Sequence, residues 1–298
     1  MAGSGRGSST FAGNGSGDHV FNSAEFFLCR RNLGHVLARL DLGQHRLRYK
    51  SEEESAWTEN GQRGLGGVEG FRSENAKYAA AESWPPAANQ TSYYLKGTAD
   101  TRHTGGLIPT APTETEQFST FVSDPSNPVR NPYECCGAHD HRQLQKRGDV
   151  LTFDSAVLTE DTELTGPVKA QIYVSCDCRD LDLWVRLLDV FPDGTAFNLM
   201  SPGLDLQRAS YRDLKRGRQL LNPEQIYDLT LDRLITSNVF KKGHRMRVQI
   251  SGGFFPNFSR NPQNGDLERN SSKVQKANIR IYHDAERSSE IVLALVTH

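Results

Sequence analysis

Two alternating segments inside Ile226–Gly265 limit what this chain can fold into more than any other feature. In the first, Tyr227, Leu229 and Leu231 alternate with Asp228, Thr230 and Asp232. In the second, Met246, Val248 and Ile250 alternate with Arg245, Arg247 and Gln249. Side chains of a strand switch faces at every residue, so each segment reads as a strand with one dry and one wet face. A helix would scatter the same apolar positions around its axis. Lys241-Lys242-Gly243-His244 reads as the polar turn of a two-strand unit, with Gly243 free for an unusual backbone angle. Phe254-Phe255-Pro256-Asn257-Phe258 then supplies an aromatic cover without a clear period.

Further strand signals come at short spacing. Ser92–Lys96 is aromatic and bounded by turn residues, and Phe118 with Phe121-Val122 can pin a Thr/Pro-rich stretch to a sheet. Asp149–Leu158 alternates in its first half, and Leu164–Val174 through Val168, Ala170, Ile172 and Val174. Leu181–Val190 carries Leu183, Val185 and Leu187 on one face and Trp184, Leu188 and Val190 on the other, which predicts cover on both sides. Asp193-Gly194 suits a hairpin turn of positive φ, with Ala196–Leu199 as the returning strand. Ile279–Tyr282 and Ile291–Val296 complete the set. Many short strands, Gly/Pro turns and little helix predict an all-β fold, an antiparallel sandwich.

The ends and the composition narrow this further. Residues 1–20 are rich in Gly and Ser and read as a flexible tail. Residues 21–50 offer either a short basic helix around Phe26, Phe27, Leu28, Val36, Leu37 and Leu40 or a partly ordered segment. No compact domain is expected from residues 1–70, where too little apolar surface offsets chain ordering; the folded domain is expected over 75–298. A formal net charge of -1 gives no reason to expect nucleic acid or an anionic membrane as partner. No run approaches the ~20 apolar residues of a membrane helix. The start of the chain carries no apolar signal core, so the expected location is the cytoplasm. Five cysteines, Cys29, Cys135, Cys136, Cys176 and Cys178, are expected to stay reduced, two of their pairs being too close in sequence for ordinary disulfides.

Several spaced motifs, in order, carry a resemblance. They are Glu82-Ser83-Trp84-Pro85-Pro86, Gly148–Phe153 (GDVLTF), Leu158–Val168 (LTEDTELTGPV), Asp180–Gly194, Thr236–Phe240 (TSNVF) with Gly243-His244-Arg245, Phe255-Pro256 with Arg260-Asn261-Pro262, and Tyr282-His283 before the last apolar strand. From about Asn75 to Val296 the chain resembles the C-terminal part of the X-Pro dipeptidyl-peptidase and cocaine-esterase-like serine hydrolases. The resemblance implies a jelly-roll β-sandwich, similar to galactose-binding domains. It also implies a partner, an α/β-hydrolase domain whose substrate pocket the sandwich helps to wall. Whole members of the family hydrolyse peptide, amide or ester bonds through a Ser-Asp-His triad; no cofactor is implied.

That triad cannot be carried onto this chain. The nucleophile of an α/β hydrolase sits on a G-x-S-x-G turn, and no such pentapeptide occurs here. Only residues 1–81 precede the Trp-Pro-Pro segment, far fewer than the catalytic domain of the family occupies. The expectation is a truncated or mis-started gene product without catalytic residues.

The remaining candidates are local. Cys135-Cys136 with His139 and His141 offers soft ligands in close spacing, but adjacent cysteines are poorly disposed to hold one ion together, and no metal site is expected. His244 is expected to hydrogen-bond between strand ends. Asp182 and Asp189 need partners, for which Arg186, Arg245 and Arg247 are at hand. Arg260 is expected to lock a loop through backbone carbonyls. Phe254, Phe255 and Phe258, with Arg260, either face a pocket or neighbouring domain or form plain core. Three functions follow: the companion sandwich of a serine acyl hydrolase; a non-catalytic carbohydrate- or protein-binding module, which needs exposed aromatics; and a hydrolase with an unrecognised triad.

Overall fold

The structure, a computed structural model, describes residues 23–28, 36–41, 46–50, 86–97, 104–133, 138–199 and 205–296. Near the N-terminus, β1 (Ser23–Leu28), β2 (Val36–Asp41) and β3 (Arg46–Lys50) form a three-stranded antiparallel sheet. A helix was one expectation for this stretch. The sequence has a period of two there: Leu47 and Tyr49 alternate with Arg46, Arg48 and Lys50. The tail 1–20 and the polar stretch 51–73 lie outside the described residues.

The main body is all-β, a single mixed sheet folded over on itself as a sandwich. One half holds β6 (Phe118–Ser123), β14 (Ala277–Tyr282), β8 (Thr162–Cys176), β12 (Tyr227–Phe240), β15 (Glu290–Leu295) and β4 (Asn89–Gly97). From β4 the sheet continues through β5 (Thr104–Ile108), β7 (Val150–Asp154), β13 (Arg245–Ser251), β9 (Asp182–Val190), β10 (Ala196–Asn198) and β11 (Leu206–Arg208). All pairings are antiparallel except β5 with β7. Alternation builds the core. Val168, Ala170, Ile172 and Val174 of β8 and Leu229, Leu231 and Leu234 of β12 face Leu183, Val185 and Leu187 of β9 and Met246, Val248 and Ile250 of β13.

The segment that organises the sequence is not a hairpin. β12 pairs with β8, whereas β13 pairs with β7 and β9. Lys241–His244 therefore carries the chain from one half of the sandwich to the other. Its conformation is fixed by Gly243 at φ 89° and by Asp161, which accepts from the Lys242 N–H at 2.9 Å and from Lys241 Nζ at 2.8 Å. β12 is also longer than its clean alternation, because a register shift between Leu231 and Leu234 absorbs the break in period at Asp232-Arg233. The wet face assigned to β13 is buried too: Arg247 and Gln249 are 7% and 0% exposed. β13 lies between two other strands, and loops cover its outer face.

The cysteines need one correction. Cys176 and Cys178 form a disulfide. β8 ends at Cys176 and the chain bends through Asp177, which brings the two Cα atoms within 5.3 Å, inside the span a disulfide bridges. Cys29, Cys135 and Cys136 lie outside the described residues.

Candidate functional site

The outer face of the β7–β13–β9 region carries a second, smaller core beneath the segments 127–133, 138–147 and 252–263. Val129, Leu144, Val150, Trp184 and Phe254 form it, with Phe258 packed against its edge. Trp184 points outward from β9 because its neighbours Leu183 and Val185 point inward. Phe254 lies flat on its indole, centroids 4.6 Å apart and planes within 4°. The Arg186 guanidinium, on the same face of β9, stands 4.8 Å from the Trp184 ring and 4.7 Å from that of Phe254.

A buried charge needs a partner. Asp205 provides it, one residue before β11. Its Oδ2 accepts from Trp184 Nε1 at 2.9 Å, Arg186 Nε at 3.0 Å and Arg186 Nη2 at 2.7 Å. Both side chains of the ion pair are fully buried. His141 meets this cluster from the loop side, with its ring edge-on to Phe254 and its Nε2 3.5 Å from Arg186 Nη1. Burial, and then the charge of Arg186, hold its pKa at about 3, so the ring is neutral. Four buried polar atoms of this face have no partner among the described residues: His141 Nδ1, Thr152 Oγ1 and both amide atoms of Gln249.

The four residues singled out from the sequence share one edge of this site and separate into two roles. Phe254 is core. Phe255 and Phe258 are half-buried at the surface. The Phe255 ring lies between two cations, Arg130 at 5.0 Å and Arg260 at 5.9 Å. Its backbone bonds on both sides to the 129–131 segment, accepting from Asn131 N–H at 2.7 Å and donating to Val129 O at 2.8 Å. Arg260 donates to Pro125 O at 3.2 Å, the loop-locking contact with a backbone carbonyl. Tyr133 stacks on His139 at 4.1 Å beside them. The rim of the site is thus aromatic and cationic, its floor an ion pair.

The carboxylates find other partners than those expected. Asp182 binds Arg208 through Nε at 2.8 Å and Nη2 at 3.0 Å, and Asn261 Nδ2 at 3.0 Å. Burial raises its pKa against the opposing pull of Arg208. Asp189 takes His244 Nδ1 at 2.7 Å, so His244 does join strand ends. Arg247 pairs with Asp154, and Arg245 donates to Ser155 O. Nearest-neighbour reasoning along the sequence missed Asp205 and Arg208 because both sit near a short third strand, β11, that carries no alternation of its own.

The hydrolase reading meets a specific test here. Ser119 Oγ lies 3.0 Å from His283 Nε2. The other ring nitrogen, Nδ1, accepts the Gly97 N–H at 3.4 Å. A neutral imidazole carries one proton. With Nδ1 accepting, that proton is on Nε2 and is donated to the serine oxygen. In that tautomer the ring donates to the serine instead of accepting its proton, the reverse of a nucleophile–base pair. Burial lowers the His283 pKa and keeps the ring neutral. Among the described residues no serine, histidine and carboxylate are joined in series. His139 and His141 engage Tyr133 and Arg186, Cys135 and Cys136 lie outside the described residues, and no group of three or more His, Cys, Asp or Glu among the described residues could hold a metal ion. No helix among them is long and apolar enough to cross a membrane.

The described residues thus define an all-β sandwich domain with a buried ion pair beneath a loop-covered, aromatic and cationic rim. The chain belongs to the family of the X-Pro dipeptidyl-peptidase C-terminal non-catalytic domain, which matches residues 50–292. It is 35% identical over 225 residues to the cocaine esterase of Rhodococcus sp. (strain MB1 Bresler), a match covering 72% of this chain and 39% of the esterase. Among solved structures it is similar to an α-amino acid ester hydrolase, with a TM-score of 0.62 and 27% identity over 72% of this chain and 38% of that one. An aminopeptidase from a marine sediment Thaumarchaeota archaeon shares the fold, with a TM-score of 0.63 at 24% identity over 73% of this chain and 38% of that one. The chain therefore spans about two fifths of the length of these relatives.

Proposed function

We propose that this chain serves as the companion sandwich of a serine acyl hydrolase that cleaves peptide, amide or ester bonds. In this reading it packs against an α/β-hydrolase domain, supplied in the same polypeptide or by another, and shapes the mouth of that domain's pocket. A jelly-roll likeness to galactose-binding domains is part of the same reading. The observation that carries it is the match of residues 50–292 to a non-catalytic C-terminal domain. The rim of Phe255, Phe258, Arg130 and Arg260 is the surface we assign to the packing against that hydrolase domain. It is fixed by backbone bonds and cation–π contacts rather than left to loop motion.

The test is a fusion. The α/β-hydrolase part of the Rhodococcus cocaine esterase is joined to residues 75–298 in place of its own C-terminal part, and ester hydrolysis is measured. The chimera is expected to recover activity that the hydrolase part alone lacks, and Phe255→Asp is expected to reduce it. The unfused chain is expected to resist labelling by a fluorophosphonate probe. Labelling, or a chimera no better than the hydrolase part alone, would sink the proposal. The carbohydrate-binding alternative finds no platform at Trp184, which is 0% exposed.

A further inference from the structure

Cys176 and Cys178 bracket the corner at which β8 leaves the sheet, and three other segments are tied to that corner. Cys176 O accepts the Glu224 N–H at 2.7 Å and Arg179 O accepts the Leu221 N–H at 2.8 Å, which fastens the loop 219–225. The Asp177 carboxylate accepts from the Asn278 N–H at 2.8 Å and from its Nδ2 at 2.5 Å, which fastens the start of β14. The Arg179 N–H reaches Gln263 O at 3.1 Å, in the loop that also carries Arg260. Gln263 stands at φ 66°, a left-handed conformation that a residue with a side chain keeps only where its surroundings impose it. Three bonds do so here. Its O accepts from Arg179, its N–H donates to Asn261 Oδ1 at 2.9 Å, and its Nε2 donates to Ser123 Oγ at 2.6 Å. Asn261 is itself held by Asp182, beyond Cys178 on the same segment.

A disulfide this local is a poor staple for the whole fold. In the chain-entropy account its stabilising effect grows with the loop it closes, and here a single residue separates the cysteines. Its local effect is larger, because Cys176 and Cys178 are 3% and 0% exposed within the main core. Two sulfurs that are no longer bonded have to move apart to van der Waals contact, and a close-packed core admits that only by displacing backbone. The displaced backbone is the one that binds Leu221, Glu224, Gln263 and Asn278. We infer that the Cys176–Cys178 disulfide is a redox latch: its reduction frees the corner 176–179 and loosens the loops 219–225 and 261–265 while the sandwich stays folded. The reductant is a dithiol. One of its thiolates attacks a protein sulfur, a mixed disulfide forms, and its second thiol displaces the protein thiol. The protein S–S bond takes up two electrons and two protons as two thiols, and the dithiol leaves as its cyclic disulfide. Both sulfurs are buried, so the attack follows a local opening of the corner. What the latch regulates rests on the companion role proposed above: Arg260 of the rim shares its loop with Asn261 and Gln263, so loosening that loop unsettles the surface that meets the hydrolase domain.

The experiment is hydrogen exchange of the full chain, first oxidised with oxidised glutathione and then reduced with dithiothreitol, with the peptide that holds both cysteines weighed in each state. That peptide is expected to be two hydrogens lighter after oxidation. Reduction is expected to speed exchange about tenfold or more at the Arg179, Leu221, Glu224 and Asn278 amides, and to leave the amides of β9 and β13 unchanged. The double variant Cys176→Ala with Cys178→Ala is expected not to respond to dithiothreitol, which separates the latch from Cys29, Cys135 and Cys136. In the hydrolase chimera, reduction is expected to lower ester hydrolysis several-fold and reoxidation to restore it. Exchange that reduction leaves unchanged overturns the latch. So does a cysteine pair that oxidised glutathione fails to close, a reduced chain that unfolds throughout, or a double variant that still responds. An active chimera indifferent to reduction overturns control of the rim. An inactive chimera counts against the companion role alone, and the exchange result then decides the latch.

Discussion

Replacing Asp205 by Asn tests whether the ion pair under the loops organises the site. The carboxylate accepts three hydrogen bonds, at 2.9, 3.0 and 2.7 Å, two of them from Arg186. The guanidinium lies against two aromatic rings and is 1% exposed, so water cannot replace the lost charge. Removing one partner of a buried pair leaves the other charge uncompensated, at a cost of about 3–5 kcal/mol. A domain of this size loses about 2–4 °C in Tm per kcal/mol, so Asp205→Asn should melt about 6–20 °C below the wild type. The double variant Arg186→Met with Asp205→Leu removes both charges and should recover most of the loss, short of the about 1–3 kcal/mol left where Trp184 Nε1–H loses its acceptor. Thermal unfolding followed by circular dichroism reads all three proteins. If Asp205→Asn melts within about 2 °C of the wild type, the pair is not buried as described, by the same conversion. If the double variant is as damaged as the single one, the pair contributes more than the burial of its own charges, and the reasoning fails.

Two further outcomes follow from the same face. His141 has a folded pKa of about 3 against an ordinary value of 6.5, so the native state resists a proton that the unfolded chain accepts. Its contribution is intact above about pH 6.5 and is lost as pH falls toward 3, reaching about 2 kcal/mol at pH 5. Urea midpoints measured against pH should show this slope, and His141→Gln should flatten it. Gln249, fully buried with neither amide atom bonded among the described residues, should be replaceable by Met with a gain of about 1 kcal/mol or more. A fall in the urea midpoint of Gln249→Met would mean that the amide is satisfied by bound water.

The strands were legible because alternation has one physical cause, the switch of side-chain direction at each residue. Tyr227–Leu231, Leu164–Val174 and Leu181–Val190 all declare it, and the strands β12, β8 and β9 follow. Pairing was less legible. Lys241–His244 looks like a hairpin turn because it is short and polar, but nothing in a turn sequence states whether the next strand returns beside its predecessor or crosses to the other layer. The cross-over is fixed by Asp161 binding Lys241 and Lys242, a contact some eighty residues distant in sequence. β5 went unread for a related reason: Thr104–Ile108 (TGGLI) holds two glycines and only two apolar side chains. The Gly105 backbone packs so closely on Lys96 O and the Phe153 ring that no Cβ would fit. A strand chosen for its lack of side chains leaves no hydrophobic period to find.

The site was legible in its parts and not in its assembly. Trp184 and Arg186 announce an outer face of β9 that needs cover, since both lie out of phase with Leu183, Val185 and Leu187. The aromatic run after β13 announces something that could cover it. What sequence cannot state is that Phe254 and Phe255, adjacent in the chain, divide between floor and rim. One stacks on Trp184; the other is held between Arg130 and Arg260. Each aromatic is matched to a cation, but the buried guanidinium alone requires a carboxylate, because only there is water excluded. Asp205 is consequently the residue on which the floor depends, although its own neighbourhood in sequence carries no motif. The rim cations, Arg130 and Arg260, are exposed and make no ion pair among the described residues, which suits them to meet another surface.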